Sequence, residues 1–157
     1  MNEEEIKKID KKINSITDSI ANKYSEIRGL EEKRNTYEKD LKNIQDLIKK
    51  LNKSSEKSSD GNTHINKLKS DIKEALCSNN LNLIISEVGN INKKNNSLIN
   101  EAIIVANNIE NEISDYITKT NNNISNIESS ITGLESEKRN LYIKIGMSII
   151  DLLKSEY

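Results

Sequence analysis

The feature that most constrains this fold is a 3-4 spacing of apolar residues, which begins at Ile6 and continues to Leu51. Over these seven heptads, twelve of the fourteen a and d positions carry an apolar side chain or Tyr, and the exceptions are Lys23 and Arg34. Only a period near 3.5 residues keeps one stripe facing a partner helix over such a length. The pattern therefore predicts a coiled-coil helix over about residues 3–53.

The composition favours long helices throughout. The 157 residues include no Pro and only five Gly, so helix breakers are nearly absent. Charged residues make up 31% and hydrophobic residues 34% of the chain, a balance typical of coiled coils. Trp and Phe, which usually fill globular cores, are missing. We expect a single all-α domain spanning residues 1–157.

Three further segments are predicted after the first helix. A cluster of Ser, Asp, Gly and Asn without apolar residues predicts a loop over 54–62. A short helix is expected over 63–77, followed by a turn at Cys77–Asn80. Apolar residues then keep helical spacing almost to the end, which predicts a long helix over about 80–155 with a change of phase near Ile113.

Two stretches of the chain are nearly identical, and they suggest a register for a long antiparallel hairpin. The sequence IRGLEEKRNTYEKDL begins at Ile27, and ITGLESEKRNLYIKI begins at Ile131. Placing the matching residues Leu30 and Leu134 opposite each other gives facing numbers that sum to 164 and a turn near residue 82. An alternative topology reverses the chain at the predicted loop and forms a shorter three- or four-helix bundle.

The same register predicts a polar layer in the seam. Arg34 and Lys138 are matching basic residues at a positions. In the predicted register Arg34 lies near Glu128 and Lys138 lies near Glu26, so that charge pairs fix the alignment at some cost in stability.

The sequence offers little chemistry for catalysis or for cofactors. It contains one His and one Cys, His64 and Cys77, which are too few for a zinc site within one chain. No Gly-rich phosphate loop, HExxH motif or EF-hand pattern is present. We therefore expect a non-enzymatic protein without a catalytic residue, metal or cofactor.

Charge and hydropathy bear on the class of partner. The net charge is −1, and no basic face of the kind that binds nucleic acid is visible. No apolar run reaches the roughly 18–20 residues that span a bilayer, and the acidic start lacks the apolar region of a cleavable signal peptide. A protein partner is the remaining expectation.

The segment LINEAIIVANNI, Leu98 to Ile109, has a wider apolar surface than one seam requires. Consecutive apolar residues point to every side of the helix, and the segment from Leu81 to Ile91 is similarly wide. Either the other helices of the chain cover this surface, or it docks helices of another protein. The candidate partner-binding residues are Leu98, Ala102, Ile103, Ile104, Val105 and Ile109.

A nearly neutral helical hairpin with an excess apolar face resembles the WXG-type proteins of type VII secretion. More specifically, it is similar to the helical partner proteins of LXG polymorphic toxins in Gram-positive bacteria. The chain has no Trp, and its predicted loop carries Ser59-Asp60-Gly61 in place of W-x-G. No Tyr is followed four residues later by an acidic residue, so the Y-x-x-x-D/E export signal is absent.

The resemblance implies a complex with the helical N-terminal region of a toxin, sometimes joined by a second small helical protein. It also implies a cytoplasmic location before export, with or without secretion of the chain itself. Two other functions fit the heptads. One is a homo-oligomeric coiled-coil scaffold, and the other is an export chaperone of the flagellar or injectisome kind.

Overall fold

The computed structural model describes residues 3–74 and 79–155, and in this part of the chain it contains two helices and no strand. Helix α1 is Glu3–Glu74, and helix α2 is Asn79–Ser155. The predicted all-α helical hairpin is therefore confirmed. Of the predicted turn at Cys77–Asn80, Asn79 and Asn80 already belong to α2, and the rest lies outside the described residues. Cys77 lies outside the described residues.

The two helices pack against each other in antiparallel orientation. Facing residues rise in number along α1 as they fall along α2. The contacts that show this are Lys12 Nζ with Glu137 Oε1 at 2.7 Å, Arg34 Nη1 with Asn121 Oδ1 at 3.4 Å, and Gln45 Nε2 with Glu110 Oε1 at 2.8 Å. The chain divides into two compact units, and each contains a segment of both helices.

The unit formed by Met1–Thr36 and Tyr116–Tyr157 has an apolar seam. Its buried cluster consists of Ile27, Ile124 and Ile131, against which Ile20, Leu30 and Ile127 pack. Burial of each such side chain contributes about 1.5–3 kcal/mol. Thr120 is also buried, and its hydroxyl donates to the Tyr116 carbonyl at 2.8 Å, which satisfies the only polar group of that side chain.

The unit Tyr37–Asp115 has a more polar seam. Ser58 Oγ donates to Asn92 Oδ1 at 3.3 Å, and Asn92 Nδ2 donates to the Ser58 carbonyl at 2.8 Å. Ser55 Oγ lies 3.3 Å from the side-chain oxygens of both Asn96 and Asn100. Among the described apolar side chains of this unit, Ala106 is the one that is fully in the buried class.

The predicted loop over 54–62 and the separate short helix over 63–77 are wrong, because α1 continues through this region to Glu74. Ser55 and Ser58 occupy the next a and d positions of the heptad series and bond to α2. Ser and Asn cost only a few tenths of a kcal/mol each in a helix, so these cross-helix bonds outweigh the local preference for a turn. The alternative topology with a reversal at 54–62 is excluded for the same reason.

The predicted register is also wrong. Arg34 faces Asn121 and not Glu128, and the numbers of residues in contact across the two helices sum to between 149 and 155 where 164 was expected. A shift of seven residues leaves an a/d stripe facing its partner, so heptads alone do not distinguish the two registers. The described ends of the two helices, Glu74 of α1 and Asn79 of α2, have numbers that sum to 153 and so agree with the observed register. Lys138 is half-buried, some 17 residues along α2 from the partner of Arg34.

The predicted change of phase near Ile113 does not occur. A continuous 3-4 series on α2 runs from Ile85 to Ser148, and every member is buried or half-buried. These nineteen seam residues are 85, 89, 92, 96, 99, 103, 106, 110, 113, 117, 120, 124, 127, 131, 134, 138, 141, 145 and 148. The apparent change of phase arises because a second apolar stripe lies beside this seam before residue 113.

Candidate protein-interaction surface

A second heptad series runs along α2, one residue before each seam position in the unit Tyr37–Asp115. We call it the outer stripe, and its members are Ile84, Val88, Ile91, Asn95, Leu98, Ala102, Val105 and Ile109. Successive residues of an α-helix are about 100° apart, so the outer stripe and the seam occupy neighbouring faces of α2. From Ile84 to Ile109 the stripe is roughly 37 Å long.

The outer stripe is exposed although seven of its eight members are apolar. The exposed fraction is 59% for Ile84, 54% for Leu98, 57% for Val105 and 40% for Ile109. Over the same stretch the seam that faces α1 includes Gly89, Asn92, Asn96 and Glu110. The other four seam residues here are apolar: Ile85, Ile99, Ile103 and Ala106. This segment of α2 thus turns a mixed stripe toward α1 and a more apolar stripe toward solvent. Such an arrangement is typical of a surface that is covered by another helix.

A groove lies where the outer stripe meets α1. It has a volume of about 380 Å³. Its lining is apolar and consists of Ile44, Leu47 and Leu51 from α1 and Ala102, Val105, Ala106 and Ile109 from α2. Leu47 is 45% exposed, so the apolar surface continues from α2 onto α1. A helix laid along the groove would contact both helices of the unit.

The structure separates the six candidate partner-binding residues into different environments. Leu98, Val105 and Ile109 lie exposed on the outer stripe, and the half-buried Ala102 lies between them. Ile103 is a half-buried seam residue that faces α1, which the sequence pattern did not distinguish from its neighbours. Ile104 is 60% exposed and lies next to the stripe on the side away from the seam.

The contribution of α1 to this surface was not predicted from the sequence. Leu47 lies at a g position, and a single apolar residue there gives no periodic signal. The second heptad series itself could have been found in the sequence, since a heptad count from Ile84 to Ile109 meets a polar residue only at Asn95.

A second exposed apolar patch lies near the end of α2 in the other unit. Its members are Tyr142, Ile143, Met147, Ile149 and Ile150. The patch extends over about two and a half turns of the helix. The groove in this part of the unit is lined by Glu5, Lys8, Ile9, Lys144 and Ser148, and is therefore mixed in character. The outer stripe is the longer and more uniform surface.

The polar contact that Arg34 makes across the seam differs from the predicted one. Across the helices, the half-buried Arg34 donates from Nη1 to the amide oxygen of Asn121. Lys138 lies at another level of the seam. The two basic residues therefore act at separate places and do not form one layer.

Across residues 3–74 and 79–155, His, Cys, Asp and Glu nowhere gather in a group of three that could hold a metal ion. Within the same ranges, neither helix has a stretch long and apolar enough to cross a membrane.

Comparison with known proteins identified no relative of this chain. No family model, curated protein or solved structure matches the chain, so its function is inferred from the outer stripe and the groove.

Proposed function

We propose that this chain is a non-enzymatic helical binding partner, and that the outer stripe of α2 with its groove docks an amphipathic helix of another protein. The observation that carries the proposal is the distribution of side chains around α2 between Ile84 and Ile109. The seam that faces α1 mixes apolar and polar residues, whereas the outer stripe, with seven apolar members out of eight, faces solvent. Covering each half-exposed Ile, Leu or Val would contribute about 1 kcal/mol before the entropic cost of association.

The chemistry of the surface defines the partner helix. Its apolar side chains must recur at 3-4 spacing over about three to four heptads to follow the outer stripe. One larger apolar residue must enter the groove lined by Leu47, Val105 and Ile109. The groove walls carry no charged side chain, so a charge at that position of the partner would be excluded.

Within this class we propose the helical N-terminal region of a secreted LXG-type toxin as the partner. Binding would stabilise that region and promote its targeting to a type VII secretion system, starting from a cytoplasmic location. The resemblance to such toxin partners supports this identification, together with the hairpin of two long helices. A toxin region that presents several helices would use both the groove and the outer stripe.

The test begins with affinity purification of the tagged full-length chain from its native cells and identification of what copurifies. We expect one large chain with a long helical N-terminal region, at a fixed ratio to the tagged protein. That region is then purified and titrated against the full-length chain. Val105→Asp should weaken the measured affinity at least tenfold, because it places a charge in the apolar groove.

Asn107→Asp is the matched control. It introduces the same side chain two residues away, at an exposed position outside the stripe and the seam, and should leave the affinity unchanged. Equal binding by wild type and Val105→Asp would contradict the proposal. Recovery of the tagged protein with no other chain would instead indicate a self-sufficient coiled-coil scaffold.

A further inference from the structure

The outer stripe has nearly the same order of side chains when read from either end. Any two heptad stripes can be aligned antiparallel so that their positions coincide. Evidence for pairing of two copies must therefore come from the identity of the side chains that would face each other. Residues whose numbers sum to 193 form the pairs Ile84 with Ile109, Val88 with Val105, Ile91 with Ala102, and Asn95 with Leu98. A second copy laid antiparallel would therefore place Ile opposite Ile and Val opposite Val at both ends of the stripe.

Charges beside the outer stripe are complementary in the same alignment. Lys94 and Glu101 are exposed and occupy g positions on the side of the stripe away from the seam. In antiparallel coiled coils, g positions of the two helices face each other. Lys94 of one copy and Glu101 of the other then lie beside the same part of the interface, and the two-fold axis creates this oppositely charged pair twice.

The parallel alignment lacks this complementarity. There Lys94 would lie beside Ile99 of the second copy, which is an uncharged seam residue facing α1. Within one chain, Lys94 and Glu101 are about 10 Å apart along the helix, and Glu101 Oε1 accepts a hydrogen bond from Ser97 Oγ at 3.4 Å. The charge pattern therefore favours one orientation of a second copy.

The apolar groove also fits the antiparallel alignment of a second copy. In the alignment that pairs residues summing to 193, Ile84 and Val88 of the second copy face Ile109 and Val105. Their side chains would enter the groove that Leu47 completes, and the same contact recurs at the symmetry-related groove. Contacts to α1 on one face of α2 and to a second α2 about 100° away are typical of helices in four-helix bundles.

We propose that the free chain forms an antiparallel homodimer through the outer stripe, centred between Asn95 and Leu98, and that a partner helix displaces the second copy. This inference rests on the proposed function in one respect, since both use the same surface. The dimer keeps the apolar stripe covered until the partner is present, and partner binding competes with dimerisation.

Sedimentation equilibrium of the purified full-length chain tests the proposal without any partner. We expect a monomer–dimer equilibrium. Lys94→Glu and Glu101→Lys should each weaken dimerisation roughly tenfold, because each changes two attractive pairs into repulsive ones. The double variant Lys94→Glu/Glu101→Lys exchanges the charges and should restore the wild-type dissociation constant. Lys93→Glu has the same change of charge at a neighbouring position outside the stripe and is the control.

Cysteine cross-linking tests the orientation in a Cys77→Ser background. Val88 and Val105 face each other across the proposed dimer, whereas two Val88 or two Val105 side chains are far apart. Oxidation of a mixture of Val88→Cys and Val105→Cys proteins should give a cross-linked dimer, and oxidation of either variant alone should not. Cross-linking of a single variant with itself would overturn the antiparallel arrangement.

The outcomes separate this inference from the proposed function. A chain that stays monomeric at every concentration overturns the homodimer and leaves the docking of another protein untouched. A dimer whose dissociation constant does not respond to the charge exchange also overturns it. A dimer that responds as expected, in a chain that binds no partner region, supports the homodimer and contradicts the proposed function.

Discussion

At the scale of single residues, a shift of one or two positions along α2 moves a side chain from the seam that packs on α1 to the solvent-exposed surface. Ile103 and Val105 are two residues apart in an uninterrupted apolar run, yet Ile103 is a half-buried seam residue and Val105 is 57% exposed. Ile103→Asp should lower the free energy of unfolding by about 2 kcal/mol or more, because a carboxylate would be partly buried against α1.

Val105→Asp should change the same free energy by less than about 0.5 kcal/mol. Urea unfolding followed by circular dichroism, at a concentration where the chain is monomeric, measures both values. A comparable loss in the two variants would show that the outer stripe is part of the core and would remove the basis of the docking proposal.

Arg34 and Lys138 are the second residue-scale case. Both are half-buried cations at seam positions, and Leu at either place should stabilise the fold by about 1 kcal/mol through apolar burial. Arg34 bonds to Asn121, about 25 Å along α2 from Lys138, so the two gains should add. A coupling above about 0.5 kcal/mol in a double-mutant cycle would contradict the observed register.

At the scale of elements, two stretches of α1 differ in how well the sequence predicted their structure. The heptads of the first 51 residues predicted the start and the seam of α1, and all fourteen positions are buried or half-buried. The polar stretch that follows was misread because composition records only the absence of apolar residues. Ser58 and Asn92 are 34 residues apart in sequence, so their hydrogen bonds depend on a register that the sequence alone did not fix.

Gly61 tests how tightly this polar part of the seam is packed. A Cβ at Gly61 would lie 3.2 Å from Asn92 Nδ2, an atom held by its bond to Ser58, whereas a Cβ at Gly29 would meet nothing within 4 Å. Gly29→Ala should therefore raise the free energy of unfolding by about 0.5–1 kcal/mol through helix propensity alone.

Gly61→Ala should gain clearly less or lose stability, since the Asn92 amide must move. Thermal unfolding of the two variants beside wild type gives the comparison. Equal gains at both glycines would mean that the Ser58–Asn92 contact does not constrain α1.

At the scale of the whole molecule, the chain leaves much of its surface exposed. Its accessible area is 11,750 Å², whereas a compact monomer of this mass exposes about 8,000 Å². Two helices without Trp or Phe cannot enclose a wide core. The sequence shows two neighbouring heptad series on α2, but which of them faces α1 depends on how the two helices pack.

Burial within each unit predicts that stability is unevenly distributed along the chain. The seam around Ile124 and Ile131 is packed with Ile, whereas the seam around Asn92 and Asn96 is polar. Helix amides open locally at a free energy that follows the apolar burial beside them. In the monomeric chain we therefore expect the amides of residues 90–100 to exchange with deuterium at least tenfold faster than those of residues 122–132.

Raising the protein concentration should slow exchange in residues 84–109 and leave residues 122–132 unchanged, because the second copy covers only the outer stripe. The variant Lys94→Glu should require a higher concentration for the same protection. Slowing in both segments, or in neither, would place any contact between copies somewhere other than the outer stripe. Hydrogen exchange read by mass spectrometry thus locates the interface independently of the cross-links.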